Sequence, residues 1–454
     1  MLAPVNPSTG KKLAEVESLT AQQASTEINK ANAAFPLWRD LALEQRAGYL
    51  KAVAAAMRAR KEELARLMAE EMGKPWREGL GEVEKGAMCA EYYADNAAEF
   101  LAAEELASDA SHSYVCYQPL GTVLGILPWN APVWLALRFL APALMAGNTC
   151  VMKADSNVPG TARVLTEAFY AAGLPQDVMI NLPLETPLVG DVIDHPGIKA
   201  VSFTGSSNAG KKVAARAAAG LKPAVLELGG SDPCIVLADA ALDKACDVIT
   251  LSRMINAGQS CIAVKRLIVE EAVYDKVCDM LYERFTALAT GDPLVADSQA
   301  LGPIARRDLQ LGLHDQVTRT IQAGARCLTG GDLPGGEGFF YPPTLLVDVK
   351  PGMAAFTEET FGPVLAVVKA KDFDHALQLA NDTEYGLGSS IWCGDPQKGE
   401  MAAQKLQAGQ VAVNGIVKTD PRLPSGGIGL SGYGRELGPH GIREFVNTKQ
   451  IWVA

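Results

Sequence analysis

The chain has 454 residues, 48% of them hydrophobic and 20% charged, with a formal net charge of −11. This composition is typical of a globular protein, and the length favours two or three domains. Because the acidic balance gives no general cationic surface, we expect neither nucleic acid nor an acidic membrane as the main partner. No apolar run approaches the roughly 20 residues that cross a bilayer, and no signal-peptide pattern is visible, so we expect a cytoplasmic protein.

The elements follow a recognisable order along the chain. Residues 21 to 108 have helical periodicity and are rich in Ala, Glu, Arg and Leu. From Ser113 short apolar runs alternate with helical stretches, and a second alternation begins after PAVLELGG at 223–230. Such alternation predicts parallel sheets with crossover helices. We therefore predict an α/β protein with two α/β domains that meet near Leu228.

The nine cysteines are scattered and form no Cys-x-x-Cys pair. This spacing argues against a disulfide framework and against a metal site. Cys261 differs from the others because it follows a Gly-containing turn, in AGQSC, that ends an apolar helix. A thiol needs a nearby positive charge or a base to become a good nucleophile, so by itself Cys261 is more simply read as a packing residue.

Three further motifs carry polar groups at the ends of predicted strands. Glu227 ends the apolar run PAVLEL and could act as a general base, although a solvated turn residue is the commoner role of a glutamate. Asn130, in ILPWN, precedes an apolar helix and could donate to an oxyanion or simply cap the helix. FTGSSNAG at 203–210 is a strand, a glycine turn and a helix, an arrangement that binds phosphate at a helix N-terminus. The five histidines lie outside these motifs.

The order and spacing of these motifs resemble the aldehyde dehydrogenase superfamily over nearly the whole chain. The matching segments, in the order of the family, are PWN at 128–130, VMK at 151–153, FTGS at 203–206, ELGG at 227–230, GQSC at 258–261, EETFGPV at 358–364 and SGYGRE at 431–436. The 34-residue step from Glu227 to Cys261 is also that of the family. ELGGSDP, TDPR and GRELGPHG resemble the shorter bacterial succinate semialdehyde dehydrogenases most closely.

The resemblance implies a covalent mechanism. Cys261 would attack the aldehyde carbon, and the Asn130 amide with the Cys261 backbone N–H would hold the resulting oxyanion. Hydride would leave to the nicotinamide, and Glu227 would activate the water that hydrolyses the thioester. Relatives that transfer the acyl group to coenzyme A usually lack this glutamate, so we expect hydrolysis.

The resemblance also implies the cofactor contacts. The expected cofactor-binding residues are Trp129, Lys153, Ser156, Gly205, Ser206, Leu228, Glu359 and Phe361. In relatives that use NAD strictly, this position has the motif Lys-x-x-Glu, whereas this chain has Lys153 and Ser156. A serine here avoids the repulsion between a glutamate and the 2′-phosphate of NADP. We expect NAD or NADP, with NADP tolerated; Asp155 could still face the ribose, and the preference stays open.

The substrate entrance differs from that of relatives that oxidise apolar aldehydes. Where those relatives have aromatic residues this chain has Ala131, Arg138 and Ser425. Arg138 matches an arginine that grips the distal carboxylate in succinate semialdehyde dehydrogenases, and Thr419 and Arg422 could assist it. A second arginine of some relatives is Ile255 here, which leaves the substrate chain length open.

We expect oxidation of succinate semialdehyde to succinate. Three further functions stay open: oxidation of glutarate semialdehyde or another polar aldehyde, a catalytically silent cofactor-binding protein of the same fold, and a coenzyme-A-acylating reductase. The implied fold has a Rossmann-like NAD(P)-binding domain (1–100 and 121–227), an α/β catalytic domain (228–427) and a small β bridging element (101–120 and 428–454). The bridging element would join the subunits of a homodimer or homotetramer.

Overall fold

The computed structural model describes residues 1–295 and 298–454. Four helices precede the first sheet and account for most of the predicted helical opening. Thr20 begins the first of them with a capping box, since its hydroxyl accepts from the Gln23 N–H and the Gln23 side chain accepts from the Thr20 N–H. The helices are α1 (Ala21–Arg39), α2 (Leu43–Ala59), α3 (Lys61–Met72) and α4 (Trp76–Phe100).

The first large sheet contains the strand-helix alternation of the N-terminal half. Its five parallel strands are β3 (Thr122–Leu127), β4 (Thr149–Ala154), β5 (Met179–Asn181), β6 (Ile198–Thr204) and β7 (Ala224–Glu227), in the order β7-β6-β3-β4-β5. The helices between them are α5 (Pro132–Met145), α6 (Pro159–Ala171), α7 (Val189–Asp194) and α8 (Ser207–Ala219). Every residue of β3 is buried, as is usual for a parallel strand covered by helices on both faces.

The second large sheet contains the later alternation. Its strands are β8 (Pro233–Val236), β9 (Arg266–Glu270), β10 (Arg326–Thr329), β11 (Thr344–Val347), β12 (Val364–Ala370), β13 (Gly388–Trp392) and β14 (Gln410–Val413). The order is β10-β11-β12-β9-β8-β13-β14, and only the pairing of β10 with β11 is antiparallel among these described strands. The helices are α9 (Leu242–Met254), α10 (Tyr274–Thr286), α11 (Arg307–Gln322), α12 (Ala354–Thr357), α13 (Phe373–Asn381) and α14 (Pro396–Lys405).

A third, small antiparallel sheet has the strand order β1-β2-β16. Its strands are β1 (Glu104–Glu105), β2 (His112–Pro119) and β16 (Val446–Val453). The segment expected at 428–454 therefore divides, because β15 (Gly432–Tyr433) pairs with β7 of the first sheet and only β16 joins the small sheet. Helix α15 (Gly438–Arg443) lies between these two strands.

The side chains of both large sheets alternate between two apolar layers. On β3, Val123 and Leu127 pack against α2, α4 and α5, whereas Leu124 and Ile126 pack against residues of α1, α7 and α8. The second sheet has a buried cluster on each face in the same way. The predicted α/β architecture is confirmed. None of the described helices is both long and apolar enough to cross a membrane.

Candidate active site

Cys261 lies at the end of a turn with an unusual backbone. Helix α9 ends at Met254, and then Asn256, Ala257 and Gly258 all have left-handed φ values, of 54°, 51° and 74°. A Cβ atom at Gly258 would lie 2.2 Å from the carbonyl oxygen of Gly362, so only glycine fits there. This turn redirects the chain between α9 and β9 and fixes the place of Cys261.

Arg253 holds the turn from inside the protein. Its fully buried guanidinium donates to the Val264 carbonyl at 3.1 Å and also to the Gly258 carbonyl. These carbonyls lie on the two sides of Cys261 in the sequence. Arg253 is therefore a positioning residue for the turn.

The Cys261 thiol is surrounded by charged groups of both signs. Burial raises its pKa to about 11, the positive charges of Lys265 and Arg138 oppose the rise, and the negative charge of Glu227 adds to it. The thiol is thus protonated at neutral pH and needs a base before it can act as a nucleophile. Glu227 and Arg138 are both close enough to affect it.

Asn130 lies beside the turn, between β3 and α5. Its side-chain amide donates to the Gln259 carbonyl at 3.2 Å, and its own carbonyl accepts from the Asn256 side chain at 2.9 Å. A primary amide has two N–H donors, so one remains for a ligand. The structure therefore brings Asn130 to the segment that carries Cys261.

Glu227 and Arg138 form an ion pair together with a third residue, Glu436. One guanidinium nitrogen of Arg138 lies 3.0 Å from Glu227 Oε2 and 2.6 Å from Glu436 Oε2, and all three side chains are almost fully buried. Burial raises the pKa of Glu227 to about 7, against the positive charge of Arg138. One cation thus faces two carboxylates, so the cluster has a net charge of −1 when both are ionised.

The other predicted substrate residues lie in different surroundings. Ser425 is fully buried, and its hydroxyl is 3.3 Å from the Arg138 guanidinium. Thr419 is also buried and accepts a hydrogen bond of 2.8 Å from Lys85 Nζ. Arg422 is not brought to this cluster, because its side chain is 73% exposed and pairs with Asp420 two residues away.

The predicted ribose-binding residues lie at the end of β4. Lys153 is 5% exposed, and burial lowers its pKa, with Asp155 opposing this effect. Asp155 Oδ1 accepts from the Asn157 N–H at 2.9 Å, so its carboxylate closes the local turn. Ser156 follows it and is half-buried. Lys153 makes no ion pair among the described residues and can bind an oxygen-rich ligand.

The glycine turn between β6 and α8 is built for close approach. A Cβ atom at Gly205 would lie 2.6 Å from the Phe203 ring, and the Gly205 N–H donates to the Glu227 carbonyl at 3.0 Å. Ser206 is exposed and caps α8 by accepting from the Ala209 N–H. The first turn of this 13-residue helix can receive a pyrophosphate.

Two of the remaining predicted cofactor residues, Leu228 and Glu359, lie at the segment that joins the two sheets. Glu359 Oε1 accepts from the Gly230 N–H at 3.0 Å and lies 3.8 Å from Lys265 Nζ. Trp129 and Phe361 meet edge to face with ring centroids 5.8 Å apart, and Leu228 packs beside Gly210 of α8. These residues, with Lys153 and the glycine turn, fit a dinucleotide that extends from β4 toward Cys261.

Comparison with known proteins decides the family. The family model for the aldehyde dehydrogenase family matches residues 2–451. The chain belongs to the aldehyde dehydrogenase family. It is 42% identical over 453 residues to a probable succinate-semialdehyde dehydrogenase [NADP(+)] of Synechocystis, with 100% of both chains covered.

Solved structures show the aldehyde dehydrogenase fold in the same way. A succinic semialdehyde dehydrogenase from Streptococcus pyogenes in complex with NADP+ is similar with a TM-score of 0.97 and 33% identity, covering 100% of both chains. A lactaldehyde dehydrogenase from Escherichia coli has a TM-score of 0.96 and 34% identity, covering 99% of this chain and 95% of the other. The fold is thus shared by enzymes named for different aldehydes, and the substrate depends on the side chains.

Three residues of this aldehyde dehydrogenase site were not predicted as site residues. Glu436 lies inside the matched motif SGYGRE, and that motif was the only signal for it. Lys265 follows Cys261 by four residues, and Lys85 lies on α4 within a pattern that is typical of a solvated helix. Neither lysine has a sequence signal, because Lys85 contacts Thr419 and Lys265 lies near Glu359, and both partners are far away in the chain.

Proposed function

We propose that this aldehyde dehydrogenase oxidises an aldehyde with a distal carboxylate, first of all succinate semialdehyde, to the corresponding acid with NAD or NADP. The observation that carries the proposal is the buried ion pair of Glu227 and Arg138, whose charges act on the half-buried Cys261 thiol. These three residues combine a thiol, a carboxylate whose pKa lies near neutrality and a guanidinium. The names of the Synechocystis and Streptococcus relatives agree with this substrate.

Cys261 is the proposed nucleophile. Its proton passes to Glu227 as the sulfur–carbon bond forms, since a thiol of pKa about 11 needs a base and the pKa of Glu227 is about 7. The remaining N–H of Asn130 and the backbone N–H of Cys261 donate to the new oxyanion. The product of this step is a thiohemiacetal on Cys261.

Glu227 is also the proposed base for hydrolysis. Its Oε1 has no hydrogen-bond partner among the described residues, whereas Oε2 is held by Arg138. Glu227 first releases to solvent the proton that it took from Cys261. A water bound to Oε1 would then lose a proton to Glu227 as it attacks the thioester carbon, and Glu227 would return this proton to the departing sulfur, which releases the acid and the Cys261 thiol. Arg138 keeps Glu227 in place during both steps.

The cofactor residues bind and orient the dinucleotide in this proposal. When bound, the dinucleotide would supply the acceptor for the hydride that leaves the thiohemiacetal carbon, which makes the thioester. Lys153 and Ser156 hold the adenosine ribose. Gly205 and Ser206 hold the pyrophosphate. Glu359 and Phe361, with Trp129 and Leu228 beside them, hold the nicotinamide half. Asp155 is the carboxylate of the 153–156 segment, and it accepts a hydrogen bond within its own turn. This segment therefore does not direct a carboxylate at the 2′-phosphate of NADP.

We also propose the domain division and assembly that the resemblance implies. The implied ranges are 1–100 and 121–227 for cofactor binding, 228–427 for catalysis, and 101–120 with 428–454 for bridging. Within 428–454 we assign the bridging role to β16, because β15 pairs with β7 of the first sheet. Strand β16 is mostly exposed and pairs antiparallel with β2, which supports a contact between subunits of a homodimer or homotetramer. A cytoplasmic location agrees with nine free cysteines.

Steady-state kinetics with a panel of aldehydes test the function. We expect kcat/KM for succinate semialdehyde to exceed that for butanal by about 10- to 100-fold, because one or two charge-assisted hydrogen bonds are available only to the carboxylate. The panel includes glutarate semialdehyde and lactaldehyde, each with NAD and with NADP. Equal values for butanal and succinate semialdehyde would overturn the proposed substrate class.

The same assays distinguish the proposed oxidation from a silent protein and from an acylating reductase. An absence of NAD(P)H formation with every aldehyde would favour a catalytically silent protein. Turnover that requires coenzyme A would favour an acylating reductase. Under our proposal turnover is independent of coenzyme A, and Glu227→Gln lowers it by about 100- to 10,000-fold.

A further inference from the structure

Lys85 places an ammonium group beside the proposed substrate residues. Its Nζ donates to Thr419 Oγ1 at 2.8 Å and lies 4.1 Å from the centre of the Trp134 ring. Trp134 and Arg138 are one helical turn apart on α5, so their side chains share one face of that helix. Lys85 therefore lies where α4, α5 and the 414–422 loop meet.

The position of Lys85 is fixed by the packing of α4 on α5. Glu82, one turn before Lys85, accepts from the Val133 and Trp134 N–H groups at 2.8 and 3.1 Å. Cys89, one turn after Lys85, lies against the Leu137 carbonyl. Contacts on both sides of Lys85 thus set the register between the two helices and keep the ammonium over Trp134.

Lys85 has no carboxylate partner in the part of the chain that the structure describes. Its polar contact there is the neutral hydroxyl of Thr419. Burial lowers its pKa to about 8, and the positive charge of Arg138 is the strongest charge that acts on it. A half-buried ammonium without a counter-ion, close to a second cation, is a favourable place for an anion.

Arg138 by itself provides no positive field for an anionic substrate. Its charge is opposed by Glu227 and Glu436, and that cluster has a net charge of −1 when both carboxylates are ionised. In that state a substrate carboxylate that met only this cluster would be repelled. A further cation offsets this repulsion, and Lys85 is close enough to Arg138 for their charges to interact.

We propose that Lys85 is a specificity-determining residue that binds the distal carboxylate of the substrate, with Thr419 and Trp134 holding its ammonium group in place. This inference rests on the proposed function, since it assigns the residue that recognises the carboxylate. Lys85 supplies the positive charge that attracts the substrate carboxylate. Arg138 supplies N–H donors in a fixed direction and also positions Glu227.

The test compares two variants on two substrates of equal length, succinate semialdehyde and butanal, using the full-length enzyme at saturating NADP. Lys85→Met removes the charge and keeps an apolar chain over Trp134. We expect its KM for succinate semialdehyde to rise about 10- to 100-fold with kcat changed less than about twofold, and its kcat/KM for butanal to stay unchanged. Lys85→Arg keeps the charge and should retain most of the affinity.

Lys51→Met is the matched control. Lys51 also faces α4, through Asp95, but its side chain is 54% exposed and its ion pair is on the surface. We expect Lys51→Met to leave kcat and KM unchanged for both substrates. An unchanged KM in Lys85→Met, or an equal loss with both substrates, would overturn the role of Lys85. Absence of a wild-type preference for succinate semialdehyde would instead overturn the proposed function itself.

The pH dependence of KM gives a second measurement that needs no neutral variant. Besides Arg138, the titratable groups that act on Lys85 are Glu82, Cys89 and Asp420. As Lys85 loses its proton above about pH 8, KM for succinate semialdehyde should rise in the wild type and stay level in Lys85→Arg. Parallel pH profiles in these two proteins would overturn the proposal even if Lys85→Met failed to fold.

Discussion

Arg138 connects substrate recognition to the chemistry through its buried charge. Its guanidinium contacts Glu227, Glu436 and Ser425, although the sequence pointed only to a carboxylate of the substrate. Two carboxylates buried without a cation would each cost several kcal/mol. A substitution at Arg138 is therefore expected to disturb the catalytic base as well as the substrate.

Arg138→Leu should lower both activity and stability. The loss of the guanidinium leaves Glu227 and Glu436 buried together, which raises the pKa of Glu227 further and costs about 3–5 kcal/mol of stability. We expect kcat to fall, and not only KM to rise, in steady-state kinetics, and the free energy of unfolding to fall in denaturant titration.

Arg326→Leu is the control for this prediction, because Arg326 pairs with Asp348 on the surface with a side chain that is 66% exposed. It should change neither kinetics nor stability. If Arg138→Leu raised KM and left kcat and stability intact, Arg138 would serve the substrate alone, and its link to Glu227 would be wrong.

At the scale of elements, the turns that follow strands determine what can bind. The turn after β4 uses Asp155 as an internal acceptor, which leaves Lys153 and Ser156 free for the proposed contact with the ribose. The turn before Cys261 uses three left-handed residues, and the Asn130 amide contacts this segment at the Gln259 carbonyl. In each case a side chain is placed by a short backbone segment between regular elements.

Ser156→Glu should change the cofactor preference. The repulsion between a glutamate and a 2′-phosphate about 4 Å away would cost about 4 kcal/mol per pair of charges at an intermediate dielectric. The ribose hydroxyls of NAD can instead donate hydrogen bonds to the glutamate. We expect kcat/KM for NADP to fall by about 100-fold or more, with NAD changed little, in assays at saturating aldehyde. Ser156→Ala is the control and should keep the wild-type kcat/KM for NADP. An unchanged NADP value in Ser156→Glu would remove residue 156 from the 2′-phosphate site.

At the scale of the whole molecule, the two large sheets meet where the chain leaves one and enters the other. Glu227 ends β7 and Pro233 begins β8, so the proposed base lies at this passage. The small sheet is separate from both, and most of β16 is exposed. An exposed strand that is paired on one side has backbone groups available for another chain.

Deletion of residues 446–454 should change the number of subunits. This deletion removes β16 and the side chain of Trp452, which is 50% exposed. We expect a smaller assembly in light scattering after size exclusion, because the proposed bridging edge is lost. Deletion of Ala454 alone is the control and should leave the number of subunits unchanged. A truncated protein that kept the wild-type mass would show that the contact lies elsewhere.

The predicted α/β architecture and aldehyde dehydrogenase family are both confirmed. Periodicity gave the two α/β alternations because buried parallel strands are apolar throughout and crossover helices are not. Local motifs placed Cys261, Glu227 and Asn130 at the ends of regular elements. The roles of the individual residues stay predictions, which the variants above test.

The sequence by itself determined which chemical groups are available and in what order they occur, because turns, strands and glycine positions depend on local preferences. Only the tertiary structure decided how the charges are shared. Arg138 and Glu227 are 89 residues apart and Lys85 and Thr419 are 334 apart, yet both pairs are in contact, while Arg422 remains in solvent. Such pairings arise from the packing of α4 on α5 and of the late loops over both, because the strength of a charge interaction depends on distance and burial in space.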